Sequence, residues 1–268
     1  MNPLDTSASS LFSWGRYRLP RDEAFRLRLG SLSVFARKQG DEIWISHGSH
    51  REGDPPAVEP ARQEDWSRWG ASESPDEIEI LPAFPDRPLV LCPENPFNLL
   101  PGARARVFVR VPLWLRVGVR GAKGGLLLEI PTVTLSDTWW GTPQEGQLCY
   151  WLPILARREA PPDVFRSDRI LCPLDLVNRA KEELPVQKIL LQVGHLTIFR
   201  GDGSLWSDEI RVRYKGEAEG SDLEVTGRTP PEAPGAVRLM PPRTPAPRGF
   251  TARTFSRIKA LPSLGISF

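Results

Sequence analysis

The chain has 268 residues, with 35 Lys and Arg against 33 Asp and Glu and a formal charge of +2. So even a balance supplies no global field for nucleic acid, and no apolar run approaches the roughly 20 residues that a membrane-spanning helix needs. Pro (28) and Gly (22) are abundant, which favours many short elements joined by turns, because Pro interrupts both helices and central strands. The three cysteines, Cys92, Cys149 and Cys172, include no Cys-x-x-Cys pair. That pattern fits a reducing compartment. The first ten residues lack a basic then apolar leader pattern, so a cytoplasmic protein is expected.

Taken in order, the first strand pattern is Phe25-Arg-Leu27-Arg-Leu29, followed by Gly30 and then Leu32-Ser-Val34-Phe35. A Gly40-Asp41 turn leads to Ile43-Trp44-Ile45. Period-two alternation broken by glycine turns predicts a hairpin. Residues 52–86 then hold ten acids against Arg62 and Arg68, with Trp66 and Trp69 inside a Pro/Glu/Ser-rich stretch. The stretch is expected to be a solvated loop insertion pinned by its tryptophans, the alternative being an acidic contact surface for a partner.

Alternation returns after a possible sub-boundary near residue 93. Val107, Val109 and Val111 share one face opposite Arg106 and Arg110, and beyond Pro112 the pattern resumes through Leu113, Leu115, Val117 and Val119. This predicts a strand pair or one bent strand with a basic outer face, with Pro112 at an edge or bulge. The Gly121–Gly125 stretch lacks phosphate-loop spacing. Residues 126–135 and 147–158 are expected to form two strands around a Gly141–Gly146 turn, which places Trp139, Trp140, Cys149, Tyr150 and Trp151 on one hairpin. Further strands are expected near 170–177, 186–199, 206–214 and 223–225, with Gly201-Asp-Gly203 as a hairpin turn. Residues 27–35 and 191–199 also match at a constant offset of 164, which raises a duplicated hairpin as a reading.

After Arg228 the composition shifts. Residues 229–268 carry eight prolines and six basic residues (Arg238, Arg243, Arg248, Arg253, Arg257 and Lys259) against Glu232 alone. An extended arm follows, either docked on the body through its phenylalanines or contacting an anionic surface.

Chemistry is sparse in the pattern. His47 and His50 lie in an expected turn with no third ligand close in sequence, so no metal site is assigned, and no cofactor fingerprint is present. His195 is expected in an alternating strand. Cys149 has apolar neighbours, which favours a buried structural thiol over a reactive one. Asp137 and Glu145 flank Trp139 and Trp140 and are the one candidate carboxylate pair, of the kind used with stacking aromatics in glycoside chemistry.

Leu135-Ser-Asp-Thr-Trp139-Trp140-Gly141, Gly146-Gln-Leu148-Cys149-Tyr150, Arg157-Arg158, Leu171-Cys172-Pro173-Leu174, Asn178-Arg179 and His195-Leu196-Thr-Ile198-Phe199 together resemble the family called domain of unknown function four-three-two. The resemblance covers roughly residues 25–260 and brings no catalytic role with it. It implies an association with small mechanosensitive-channel proteins, hence an accessory role at a membrane partner. The acidic insertion and the Pro/Arg tail depart from the family pattern. The expectation is therefore an all-β protein: an antiparallel, immunoglobulin-like sandwich, single or double, with short or no helices. Residues 11–228 would form its body and 229–268 its tail. It is expected to act by protein interaction at the cytoplasmic side of the inner membrane, with a ligand- or carbohydrate-processing β protein as the alternative. Candidate contact residues are Asp137, Trp139, Trp140, Glu145, Cys149, Tyr150, Arg157 and Arg158.

Overall fold

The computed structural model describes residues 13–21, 23–50, 65–70, 76–119, 125–160, 165–201, 203–216, 220–245 and 251–252. In chain order the strands begin with β1 (Gly15–Arg18), β2 (Phe25–Leu29), β3 (Leu32–Gln39), β4 (Glu42–Ser49), β5 (Ser67–Gly70) and β6 (Glu77–Ala83). They continue with β7 (Leu89–Pro93), β8 (Phe97–Leu99), β9 (Arg104–Pro112), β10 (Trp114–Val119), β11 (Gly125–Pro131) and β12 (Ser136–Gly141). Next come β13 (Gly146–Ile154), β14 (Arg169–Asn178), β15 (Leu184–Val186), β16 (Ile189–Leu191) and, after one 3-10 turn at Val193–His195, β17 (Ile198–Arg200). The last are β18 (Leu205–Ser207), β19 (Ile210–Gly216), β20 (Gly220–Val225), β21 (Val237–Met240) and β22 (Thr251–Ala252). The protein is all-β.

The meander β2-β3-β4-β5 begins with the hairpins read from the pattern. Leu29 pairs with Leu32 across Gly30-Ser31, and Gln39 pairs with Glu42 across Gly40-Asp41. Gly30 (φ 60) and Gly40 (φ 61) supply the left-handed first position that such two-residue turns require. Both faces of this sheet are covered. Leu27, Leu29, Val34, Ala36, Ile43 and Ile45 enter the main core, while Phe35, Trp44, Trp66 and Ala24 form a separate outer cluster. The Arg37 guanidinium lies over both Trp44 and Trp66, at 4.8 and 4.4 Å.

Two strands emerge from the stretch expected to be a loop. Within residues 52–86, β5 extends the meander and β6 is an interior strand of the sheet β1-β6-β10-β11. Ile78 and Ile80 are fully buried while Glu77 and Glu79 face out. Acidic composition hid a half-buried strand, because Glu77 and Glu79 alternate with Ile78 and Ile80 at its start. Residues 51–64 and 71–75 lie outside the described residues.

The longest strand, β14, is the spine of an eight-stranded sheet. One edge pairs antiparallel with β9 from Arg169↔Pro112 to Val177↔Arg104. The other edge is shared end to end by β18 and β19, both parallel. Parallel pairing also joins β13 to β7 in the sheet β12-β13-β7-β16. The remaining pairings are antiparallel. At Pro112-Leu113 the chain leaves the β14 sheet and enters the β6 sheet, as an edge proline permits. Leu113 is fully buried at this corner, where its carbonyl accepts from the Thr132 amide and from Thr132 Oγ1.

One apolar cluster draws on every sheet, with residues from both sides of position 93, among them Leu89, Leu91 and Leu99. The matching segments 27–35 and 191–199 have different structures. The first is a hairpin, whereas the second runs from β16 through the 3-10 turn into β17, which belongs to another sheet. Their likeness is that of alternating strands in general, and it places His195 in a turn rather than a strand, its Nδ1 3.0 Å from the Thr244 carbonyl.

Candidate functional site: the aromatic hairpin

The hairpin is real, but one arm differs from expectation. The strand that pairs with β13 is β12, from Ser136↔Trp151 to Gly141↔Gly146. Residues 126–131 belong instead to β11, which pairs with β10 in another sheet. Alternation alone could not separate the two, because Pro131 to Leu135 carries no glycine turn.

Adjacent strand residues point to opposite faces, so the two neighbouring tryptophans diverge. Trp140 is buried with Val90, Cys92, Cys149 and Leu190 in a small apolar cluster. Trp139 is 52 % exposed. Its Nε1 donates to the Thr142 carbonyl at 2.9 Å, and its ring lies against Gly146, where any Cβ would collide with the indole. Opposite Trp139 stands Leu148, also exposed. The turn is closed by Thr142 N–H donating to the Glu145 carbonyl at 2.9 Å and by the Glu145 amide donating to Thr142 Oγ1 at 2.9 Å. Gly141 (φ 122) lies so near the Glu145 backbone that no side chain fits. The tip is therefore a braced platform for Trp139 and Leu148. Among the described strands, β12 is bonded only on its β13 side.

Asp137 and Glu145 do not form a pair. Asp137 lies opposite Tyr150, whereas Glu145 precedes Gly146, four strand residues away, or roughly 14 Å at the rise of an antiparallel strand. Glycosidase carboxylates sit about 5–9.5 Å apart. Asp137 accepts from Arg87 Nη1 at 2.9 Å, and that guanidinium lies 5.2 Å from the Tyr150 ring. Tyr150 donates to Asp86 Oδ1 at 2.9 Å. Burial first, and then the Asp86 carboxylate, raises the Tyr150 pKa. Arg87, Asp86 and Leu148 are members of this surface that sequence reasoning missed. Lys188 lies 5.1 Å from the half-exposed Trp151 ring on the opposite face. Their only sequence signal was the alternation that placed Leu148 outward.

Cys149 is fully buried, and burial pushes its thiol pKa up to about 11. Arg157 and Arg158 belong elsewhere. The Arg157 carbonyl accepts from the Phe108 amide at 2.7 Å, and the Arg158 guanidinium sits 5.5 Å from the Phe97 ring. Of the basic residues beyond 228, Arg238 lies on β21, opposite Phe199. Arg243 is an internal staple: it donates to the Phe84 carbonyl at 3.0 and 2.6 Å and to Glu129 at 3.0 and 2.9 Å. Residues 237–243 therefore contact the body directly. Arg248, Arg253, Arg257 and Lys259 lie outside the described residues.

The geometry defines an all-β protein of mixed sheets that holds an aromatic platform on one edge hairpin. Among the described residues, no helix is long and apolar enough to cross a membrane, and no group of three His, Cys, Asp or Glu is placed to hold a metal ion. A sequence model described as "Protein of unknown function (DUF432)" matches residues 13–259, and the chain belongs to that family. No curated protein and no solved structure matches it.

Proposed function

We propose that the chain is an interaction module that docks a protein partner through the β12–β13 hairpin, with a membrane-embedded channel of the mechanosensitive type as that partner. This reading places the protein at the cytoplasmic face of the inner membrane, as an accessory to the channel. The observation that carries the docking role is Trp139, half exposed on a braced turn beside exposed Leu148. Large apolar side chains normally turn inward, and exposed rigid tryptophans are the commonest anchors of protein interfaces. The open edge of β12 adds main-chain donors and acceptors to which a partner strand can bond.

With about 250 Å² for a whole indole side chain, the 52 % exposure of Trp139 leaves roughly 130 Å² to cover. At about 25 cal/mol/Å² that is about 3 kcal/mol before association costs. Capture of the full chain by a detergent-solubilised mechanosensitive channel tests the reading. Trp139→Ala is expected to weaken capture at least tenfold with little change in Tm, since the indole packs chiefly on its own turn. Equal capture of both proteins would refute it. A chain ending after Pro245 tests the tail separately, because a cut at Arg228 would also remove β21 and the Arg243 staple.

A further inference from the structure

The outer face of β9 carries Arg104, Arg106, Phe108 and Arg110 at alternate positions. The first two arginines are neutralised in place. Arg104 Nε donates to Asp175 at 2.5 Å. Arg106 bridges Glu209 at 2.8 Å and Glu232 at 2.7 and 2.8 Å. Arg110 breaks the pattern. It lines a notch with Arg166 and Arg169, together with Phe165, Leu171, Ser204 and Leu205.

Among the described residues, only the Arg169 guanidinium of the three meets an acid, donating to Asp168 Oδ2 at 2.5 Å. Asp168 is itself buried against the β2–β3 turn, where a Cβ on Gly30 would overlap its carboxylate. Arg169 is thus clamped from behind, and Arg110 and Arg166 have no acidic partner among the described residues. Burial, opposed by Asp168 and reinforced by the charges of Arg166 and Arg110, lowers the Arg169 pKa. Counting only the described residues of the notch, three cations less one carboxylate leave a charge of +2. Like charges gathered on a half-covered sheet face cost free energy unless an anion joins them. The rest of the notch also suits a ligand. Phe165 is braced edge-on by Trp206 at 5.5 Å. Ser204 Oγ accepts from Trp206 Nε1 at 2.8 Å, which leaves its hydroxyl proton to donate.

We propose that Arg110, Arg166 and Arg169 form a binding site for a phosphate monoester group, with Ser204 as a further donor and Phe165 as an apolar wall. A monoester carries about −1.5 to −2 charges at neutral pH, matching the site, and its oxygens take the fork of several guanidiniums. The site is separate from the β12–β13 hairpin and does not depend on the docking role. The lining side chains fill the notch. Arg166 is exposed, so its side chain is the one free of packing that could make room for the group.

Two sources offer this chemistry, a soluble phosphate monoester and the headgroup of phosphatidic acid. Calorimetric titration of the full chain with inorganic phosphate and with phenyl phosphate, at fixed ionic strength, probes the first. Sedimentation with phosphatidylcholine vesicles containing phosphatidic acid or phosphatidylserine probes the second. Binding of either monoester is expected, weakened about tenfold by Arg110→Gln or Arg166→Gln with Tm unchanged. Exposed Arg228→Gln serves as the control and leaves binding intact. Phenyl phosphate affinity is expected to fall as the pH drops through about 6, where the monoester dianion is protonated, while sulfate affinity stays level. Preference for phosphatidic acid over phosphatidylserine would assign the site to lipid, and phenyl phosphate binding alone would assign it to a soluble ligand. No binding in either arm, or binding that the Arg110 and Arg166 substitutions leave unchanged, would overturn the proposal.

Discussion

Asn178→Ala is the sharpest test of how the far end of β14 is held. Asn178 is fully buried. Its Nδ2 donates to the Leu99 carbonyl at 2.8 Å and to the Glu182 carbonyl at 2.7 Å, and its Oδ1 accepts from the Ala180 amide at 2.9 Å. The backbone is used as well: the Asn178 amide donates to the Ala103 carbonyl, and the Asn178 carbonyl accepts from the Gly102 amide. One side chain thus ties β14 to β8 and closes the polar turn that follows it. Alanine would strip this partner from the buried Leu99 carbonyl and Ala180 amide, each costing about 1–3 kcal/mol, and from the part-buried Glu182 carbonyl, which costs less because water can reach it. Partial relaxation of the 179–183 turn recovers some of this, so a loss of about 3–5 kcal/mol is expected. Asn178→Asp should be no better, because it keeps the acceptor but aims a carboxylate oxygen at two carbonyls. Urea denaturation followed by tryptophan fluorescence measures both variants. A loss below about 1 kcal/mol for Asn178→Ala, at an unchanged denaturant slope, would refute this account of the hub.

Two further outcomes follow from buried titratable groups. Asp208 is fully buried, with Oδ2 accepting from the Thr197 amide and no partner for Oδ1 among the described residues. Burial raises its pKa above 3.8, against the lowering effects of the Thr197 bond and of Arg238. A carboxyl with a raised folded-state pKa stabilises fully below the unfolded value, and that contribution is lost as pH rises through the folded value. Asp208→Asn should therefore gain stability relative to the parent between acid and neutral pH. A parallel pair of stability–pH curves would contradict this. Burial likewise raises the thiol pKa of Cys92 and Cys149 to about 11 and that of Cys172 to about 12. Labelling of the native chain at pH 8 should be at least about a hundredfold slower than in urea, where all three thiols react. Rapid stoichiometric labelling of native Cys149 would restore it as a reactive thiol.

The site was half legible in the sequence. Trp139, Trp140 and the Gly141–Gly146 turn were visible as a hairpin, and period two already implied that neighbouring tryptophans face opposite ways. Which of them is buried was not visible, because that depends on β7 and β16 supplying Val90, Cys92 and Leu190 behind Trp140. The separation of Asp137 from Glu145 is likewise set by the pairing register, which composition does not reveal. The Arg110, Arg166 and Arg169 cluster could not be found by spacing at all. Its members lie on β9, in the loop before β14 and on β14, and only the antiparallel register of those strands brings them together.

By itself, the sequence determined the all-β class and the β2–β4 meander. Alternation of apolar residues and glycine at left-handed turns are local requirements, and the chain meets them without help from distant residues. Only the tertiary structure decided that β13 runs parallel to β7, that β14 carries β18 and β19 end to end, and that residues 77–83, at the end of an acid-rich stretch, form an interior strand. Strand partners are chosen by which apolar faces can be buried together, and that choice belongs to the whole core rather than to any one stretch. The same holds for charge. The nearly neutral total concealed both the Arg243 staple and the gathered arginines beside β14, because opposite charges cancel in a sum but not in space.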